Sequence, residues 1–178
     1  MKGQQLVMRW KNDGTPPIPV QLPNGFTVVP FPQLENALSH WLDIVQYGLS
    51  KGRMEEEYYT NLMTNWRDYD DNYCFFVCKD GLPIATITTI FHRQTNEAYI
   101  HMVACKEGYR GMGIGNLLNQ IALYHIKEQR MRSAFLTTDD WRIPAIKSYL
   151  KIGFTPDLVD EDDVERWDAI FKVIQSTK

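Results

Sequence analysis

The chain has 178 residues, of which 44% are hydrophobic and 23% charged, and this is the composition of one globular domain. Its 19 basic and 22 acidic residues give a formal net charge of −3, which lacks the basic excess of a nucleic-acid-binding protein. The sequence contains no apolar run long enough for a membrane span, no evident secretory signal, and only three cysteines, an odd number that argues against a disulfide framework. We therefore expect a cytoplasmic protein with neither nucleic-acid nor membrane partners.

The N-terminal third mixes extended and helical patterns. Residues 1–24 are rich in proline and predict an extended lead-in, within which residues 6–10 have the pattern of a short strand. A strand is predicted over residues 25–29. The spacing of apolar residues then changes to three and four, which predicts an amphipathic helix over residues 34–49 and a more polar helix over residues 54–66.

The remainder of the chain alternates strands and helices. Two strands flank Asp80 and Gly81, a dipeptide typical of β-hairpins. The predicted elements from there on are strands 73–79, 84–91 and 97–105, a helix over 114–130, a strand over 133–138, a helix over 143–152, a short strand ending near 159 and a C-terminal helix. We expect residues 25–178 to form a single α/β domain.

A glycine-rich turn follows the strand 97–105, where residues 110–115 read Arg-Gly-Met-Gly-Ile-Gly. Glycines allow the backbone to approach a ligand closely, and the free N–H groups at the start of the next helix favour a phosphate. The spacing does not fit a dinucleotide loop, whose third glycine would fall at Asn116, or a P-loop, which needs Lys before Ser or Thr. A helix entry without any ligand is an equally good interpretation of this turn alone.

The pattern Arg-x-x-Gly-x-Gly resembles the acyl-CoA pyrophosphate loop of the GCN5-related N-acetyltransferase (GNAT) family. Residues 140–154 resemble the closing motif of that family, with Ala145 four residues before Tyr149 and then Tyr-x-x-x-Gly-Phe. The two motifs occur in the family's order, and the resemblance covers residues 73–159. It implies an α/β fold with a mixed, mostly antiparallel sheet, helices on both faces, and two central parallel strands that separate at the cofactor site.

The resemblance also implies acetyl-CoA as co-substrate and a set of site residues, with no metal. Tyr149 matches the general acid that protonates the leaving thiolate, although a core tyrosine is the alternative. His101 is similar in position to a histidine that removes a proton in serotonin N-acetyltransferase, although a hydrogen-bonded sheet histidine is nearly as good an interpretation. The expected cofactor-binding residues lie on the strand end, which binds the pantetheine arm and the thioester oxygen, and on the loop: Val103, Ala104, Cys105, Arg110, Gly111, Met112, Gly113, Ile114, Gly115 and Asn116.

The sequence departs from the family pattern at three places. Glu107 stands where proline is usual, and Arg142 stands where asparagine is frequent. The last hairpin strand of the family is not evident, and the helix that carries Trp167 is a candidate to replace it.

Three other patterns suggest different chemistry. Gly48-x-Ser-x-Gly52 spells a hydrolase nucleophile motif, but it follows a predicted helix instead of a strand, so we interpret it as a helix end. Cys74 and Cys78 predict two buried strand cysteines, because no His or Cys pair follows at zinc spacing. The acidic run at residues 157–165 predicts a solvated helix start.

Two functions stay open at this point. The first is an acetyl-CoA-dependent N-acetyltransferase that acts on a primary amine of a small molecule or a peptide, with a monomer and a homodimer both left open. The second is a catalytically silent domain of the same fold that binds acyl-CoA as a sensor. The acceptor amine and the size of the acyl group are not specified by the sequence.

Overall fold

The computed structural model describes residues 4–47, 49 and 55–176. Seven strands form one sheet in the order β2-β3-β4-β5-β6-β1-β7. The strands are β1 (Leu6–Lys11), β2 (Phe26–Pro30), β3 (Cys74–Lys79), β4 (Leu82–His92), β5 (Glu97–Cys105), β6 (Ser133–Thr138) and β7 (Thr155–Asp157). The helices are α1 (Ala37–Val45), α2 (Glu56–Tyr59), α3 (Ile114–Glu128), α4 (Ile143–Lys151) and α5 (Asp163–Ser176).

Neighbouring strands are antiparallel throughout the sheet, except for the parallel pair β5 and β6. The predicted mixed, mostly antiparallel sheet is therefore confirmed. The hairpin at Asp80 and Gly81 joins β3 to β4, as predicted, and both residues have the positive φ that a tight turn requires. The bounds of β5 and β6 agree with the sequence prediction.

Strand β1 lies inside the sheet, between β6 and β7. Leu6 pairs with Thr138 of β6 on one side, and Val7 pairs with Asp157 of β7 on the other. Its side chains alternate between buried and partly exposed, as expected for a strand of a covered sheet. Residues 6–11 of the predicted lead-in thus form part of the sheet. Their partners lie far along the chain, so no local pattern reveals the pairing.

On the side of β6 that faces away from β5, the neighbouring element is β1, which comes from the N-terminal end of the chain. The C-terminal helix does not occupy this position. Helix α5 packs on one face of the sheet, where Trp167 and Ile170 are buried. The suggestion that the Trp167 helix replaces the last strand of the family is therefore wrong for this fold, because β1 occupies the position beside β6.

Helices cover both faces of the sheet. The α3 face, defined by α3, α4 and α5, has a core that includes Leu118, Ile121 and Ile146. The α1 face, defined by α1, α2 and the turn after it, has a core that includes Trp41 and Met63. Because side chains alternate along a strand, neighbouring residues of β5 and β6 contribute to opposite faces.

Several local predictions differ from the structure in detail. The first helix is shorter than predicted and follows Asn36, whose φ of 53° lies in the left-handed region. The second consists of the four-residue α2 and a π-helical segment, Thr60–Thr64. Four residues of the Gly48-x-Ser-x-Gly52 motif (48, 50, 51 and 52), together with Met54, lie outside the described residues.

Two further predictions concern cysteines and acids. Cys74 and Cys78 are buried free thiols on β3, as predicted. The acidic run at residues 157–165 was predicted to be a solvated helix start, and this is wrong for Asp163, because only 2% of that residue is exposed. Its carboxylate accepts hydrogen bonds from the amides of Val159 and Asp160 and forms an ion pair with Arg166. These contacts stabilise the entry into α5.

Candidate functional site

The central feature of the site is the separation of β5 and β6. Their parallel pairing runs from Glu97 and Ser133 to Ile100 and Leu136, and it stops there although both strands continue. The predicted parting of the two strands is confirmed. Beyond Ile100, the backbone edge of β5 that faces β6 has lost its partner strand, which leaves hydrogen-bonding groups available to a ligand.

A β-bulge in β5 accompanies this separation. Thr88 of β4 pairs with His101 and Thr86 pairs with Ala104, so β5 contains one extra residue in this interval. Met102 lies within the bulge and has a φ of 51° in the left-handed region. A bulge bends its strand and increases the local twist, which accounts for the divergence of β5 from β6.

A cavity of about 170 Å³ lies at the separated strand ends. Its walls come from the end of β5, the end of β6, α4, and Gln5 just ahead of β1. His101 and Tyr149, the two predicted catalytic residues, both line it. His101 lies on the α1 face and Tyr149 on the α3 face, so the cavity receives one candidate from each side of the sheet.

The His101 ring is held by a backbone hydrogen bond from the α1 face. Its Nε2 lies 2.9 Å from the carbonyl oxygen of Leu62, which can only accept. Nε2 therefore carries the hydrogen, and Nδ1 of the neutral ring has a lone pair to which no described residue donates a hydrogen bond. Leu62 belongs to the π-helical segment, where the amide of Trp66 donates to Met63. In a regular α-helix that amide would occupy the Leu62 carbonyl.

Burial lowers the pKa of His101 below its ordinary value of 6.5, and the bond to the Leu62 carbonyl opposes part of this effect. Aromatic rings surround it, with the ring centroids of Tyr99 and Trp66 at 4.9 Å and 5.7 Å. The imidazole is thus neutral at pH 7, the state that a proton acceptor needs.

Tyr149 extends from α4 and is only 7% exposed. Burial raises its pKa to about 12, while the charge of Arg142 acts in the opposite direction. The phenol is therefore fully protonated at neutral pH and can donate a hydrogen bond. Arg142, at the start of α4, also lines the cavity, and its Nε forms an ion pair with Asp139 at 2.8 Å.

The Tyr-x-x-x-Gly-Phe pattern has a physical basis at the end of α4. The amide of Phe154 donates to the Tyr149 carbonyl and that of Gly153 donates to the Leu150 carbonyl, both at 3.1 Å, which is a Schellman motif. Gly153 has a φ of 93°, a conformation that favours glycine. The motif fixes the last turn of α4 and with it the backbone of Tyr149.

The glycine-rich loop leads into α3 on the same face. Gly111 and Gly113 both have a φ of 79°, and a Cβ atom added to either would meet no atom within 4 Å. Among the described residues, no group accepts a hydrogen bond from the amides of residues 111–116, and α3 has no side-chain cap. The loop therefore presents open space and free donors, which suit a phosphate group.

The other predicted cofactor residues occupy varied positions. The Arg110 guanidinium donates to the Tyr47 carbonyl, a bond that does not neutralise its charge. A Cβ at Gly115 would lie 3.6 Å from Ser148 Oγ, and Asn116 Oδ1 accepts from the same hydroxyl, so both face α4. Met112 is 54% exposed. Besides backbone groups, these positions therefore offer a ligand the charge of Arg110 and the exposed side chain of Met112.

The strand end holds the remaining three cofactor candidates. Ala104 is buried, whereas Val103 and Cys105 are partly buried, and Val103 lines the cavity. Burial raises the pKa of the Cys105 thiol, and the nearby charge of Arg110 lowers it in part. Cys105 is therefore a neutral thiol at pH 7.

Sequence reasoning did not find several residues of the cavity wall. Gln5 precedes a strand whose pairing has no local signal, and Thr138 is the last residue of a strand whose end carries no motif. Leu62 is not part of the wall itself but orients His101 through its backbone carbonyl, a group that every residue has. Among the other wall residues, the sequence had singled out Arg142 as a departure from the family pattern and Ala145 as part of the closing motif.

Comparison with known proteins agrees with this geometry. The family model described as "Acetyltransferase (GNAT) family" matches residues 37–154, more than half of the chain. The chain belongs to the GNAT acetyltransferase family. The predicted resemblance is thereby confirmed, and so is the acyltransferase class at the level of the family.

Individual relatives of this GNAT domain are more distant. A mycothiol acetyltransferase from Corynebacterium glutamicum is 29% identical over 87 residues, which cover 49% of this chain and 30% of that protein. The chain thus spans about a third of the length of the curated relatives it matches. A GCN5-related N-acetyltransferase from Sphaerobacter thermophilus superposes with a TM-score of 0.69 at 20% identity, covering 85% of this chain and 48% of that one.

A second similar structure contains a ligand. Arabidopsis thaliana Naa50 in complex with the bisubstrate analogue CoA-Ac-MVNAL superposes with a TM-score of 0.55 at 21% identity, covering 74% of this chain and 83% of that one. At these identities the structural likeness shows the fold alone.

In the described ranges 4–47, 49 and 55–176, no helix is both long and apolar enough to cross a membrane.

Proposed function

We propose that this GNAT domain is an acetyl-CoA-dependent N-acetyltransferase that acetylates a primary amine of a small molecule or a peptide. The observation that carries the proposal is the cavity at the parted ends of β5 and β6. It places a neutral histidine on one side and a protonated phenol on the other. Acetyl transfer to an amine needs a proton acceptor for the nucleophile and a proton donor for the leaving group.

Acetyl-CoA is expected to approach from the α3 face. Its pyrophosphate fits the free amides of residues 111–116 and the partial positive charge of the α3 N-terminus. The charge of Arg110 adds to this attraction. The thioester would then reach the gap between β5 and β6, where unpaired backbone groups near Val103 can stabilise negative charge on its oxygen.

The amine acceptor is expected to approach from the α1 face. His101 Nδ1 takes a proton from the ammonium, directly or through a water molecule, and the neutral amine attacks the thioester carbon. A C–N bond forms, the nitrogen of the tetrahedral intermediate loses its second proton to solvent, and the C–S bond then breaks to release the thiolate of CoA. The sulfur finally receives a proton, which we assign to Tyr149, and the phenolate regains its proton from solvent.

The high pKa of Tyr149 determines how readily its phenol gives a proton to the departing thiolate. A phenol of pKa about 12 is a weaker acid than a thiol, whose ordinary pKa is about 8.5. Complete proton transfer to the thiolate is therefore uphill in the resting site. Tyr149 stabilises the departing sulfur first as a hydrogen-bond donor, and the nearby charge of Arg142 favours the transfer by stabilising the phenolate.

A panel of primary amines tests this proposal. The protein would be incubated with acetyl-CoA and each amine, with detection of the free thiol, while CoA binding is measured by calorimetry. We expect CoA binding together with thiol release for at least one amine. Binding of CoA without transfer to any amine would favour a silent acyl-CoA sensor, and the absence of CoA binding would contradict both functions.

A further inference from the structure

One buried hydroxyl in the cavity wall has no hydrogen-bond partner among the residues that the structure describes. Thr138 is 3% exposed, and its Oγ1 forms no hydrogen bond with any described residue. Buried polar atoms are nearly always paired, because an unpaired hydroxyl loses its hydrogen bonds to water without replacement. Thr138 also lines the cavity at the separated strand ends.

The position of Thr138 distinguishes it from the other unpaired buried atoms. Trp41 Nε1 and Trp167 Nε1 belong to the closed cores of the α1 face and the α3 face. Of the buried unpaired atoms in the described part of the chain, the Thr138 hydroxyl alone belongs to a residue of the cavity wall. The adjacent Thr137 also lines the cavity, but its hydroxyl lies 3.3 Å from the Tyr99 hydroxyl.

The alternation of β6 places Thr138 on the cofactor side. Ala134 and Leu136 belong to the core of the α3 face, and Thr138 follows them at a period of two. Tyr149 reaches the cavity from this same face, whereas His101 is held from the α1 face. A ligand that meets Thr138 thus lies on the side of the leaving group, away from the proposed amine entry.

We infer that the Thr138 hydroxyl binds the pantetheine arm of acyl-CoA close to the thioester. This inference rests on the proposed function. The arm carries amide N–H groups, amide carbonyls and a sulfur atom, and a threonine hydroxyl can both donate and accept a hydrogen bond. When the arm binds, the Thr138 hydroxyl gains a hydrogen-bond partner. The arm then contacts β6 through Thr138 on one side and the backbone of β5 on the other.

The test compares two identical substitutions at buried strand threonines. Thr138→Val removes the unpaired hydroxyl, and Thr86→Val is the control, because Thr86 Oγ1 donates to the Phe75 carbonyl at 3.1 Å. In the free protein, Thr138→Val should keep or raise the melting temperature, whereas Thr86→Val should lower it. Thr138→Ser retains the hydroxyl and should behave like the parent.

Two ligand probes locate the contact. CoA contains the pantetheine arm, whereas adenosine 3′,5′-bisphosphate lacks it. We expect Thr138→Val to weaken CoA binding by about 5- to 20-fold, the scale of one lost hydrogen bond, and to leave bisphosphate binding unchanged. Thr138→Ser should restore CoA affinity.

Three outcomes would contradict either the assignment of Thr138 to the pantetheine arm or the proposed function. Equal CoA affinity in the parent and in Thr138→Val would overturn the assignment while leaving the proposed function intact. A raised KM for the amine with an unchanged KM for acetyl-CoA would also overturn it, because the hydroxyl would then meet the acceptor. If the parent binds neither CoA nor the bisphosphate, the proposed function itself is wrong.

Discussion

The two faces of the sheet build their halves of the cavity in different ways. On the α3 face, the loop at residues 111–116 and the turn after Tyr149 act through backbone geometry, with free amides in one and a Schellman motif in the other. On the α1 face, His101 depends on a carbonyl 39 residues away and on neighbouring aromatic rings. The loop and the turn on the cofactor side thus depend on residues that are close together in the sequence. The proposed acceptor side depends on contacts between segments that are far apart in the sequence.

This difference suggests how the two sides respond to change. Backbone amides offer the same geometry whatever the neighbouring side chains are, and they suit a ligand whose phosphates never vary. A side chain oriented by another segment changes when that segment changes, which suits a variable acceptor. The following predictions test this contrast in order of decreasing effect.

The largest effect is expected from Gly113→Val. Its side chain would occupy the open space beside the free amides, so we expect CoA binding to become undetectable by calorimetry. The control is Gly14→Val, since Gly14 has a similar φ of 76° and also has no atom within 4 Å of an added Cβ. Both variants should lose similar stability, of the order of 1–3 kcal/mol. Equal CoA binding by Gly113→Val and the parent would disprove the loop assignment.

Tyr149→Phe should reduce kcat by roughly 10²-fold or more, because it removes the proton donor and keeps the ring. The affinity for CoA should change little, since the loop amides are untouched. Steady-state kinetics and calorimetry separate the two quantities. Tyr124→Phe, on α3 away from the cavity lining, serves as the control and should retain full activity. Unchanged turnover in Tyr149→Phe would mean that the thiolate leaves unaided.

A smaller and pH-dependent effect is expected from His101→Gln, about 10- to 100-fold at pH 7. Burial lowers the pKa of His101, so the parent loses its neutral base only below pH 6.5, and its rate profile should have an acidic limb there. The variant should lack this limb, and its defect should shrink at high pH, where the amine is already neutral. An acidic limb that persists in His101→Gln would assign the base to another group.

The smallest effect concerns the turn that fixes α4. Gly153→Ala places a Cβ at a φ of 93°, 3.5 Å from Trp10 Cδ1, so we expect a loss of about 1–3 kcal/mol in the free energy of unfolding. Chemical denaturation measures this loss. Activity at a temperature where the variant stays folded should fall much less than in Tyr149→Phe. A stability equal to that of the parent would contradict the Schellman assignment.

Much of the site was predictable because its signals are local. The glycines of the loop and Gly153 are required by backbone conformations that few other residues adopt, so the sequence reveals them directly. Strands β5 and β6 were predicted with their observed bounds. The position of β1 was not predictable in the same way, since a six-residue strand pairs equally well with many partners.

By itself, the sequence determined the family, the order of most elements, the glycine-rich loop and the position of Tyr149 on its helix. Only the tertiary structure decided that the N-terminal strand lies beside β6, that Thr138 reaches the cavity with an unpaired hydroxyl, and that Leu62 fixes the His101 ring. The physical reason is the range of the interactions. Turns, caps and periodic burial depend on residues a few positions apart, whereas strand pairing and cavity walls depend on which distant segments pack together.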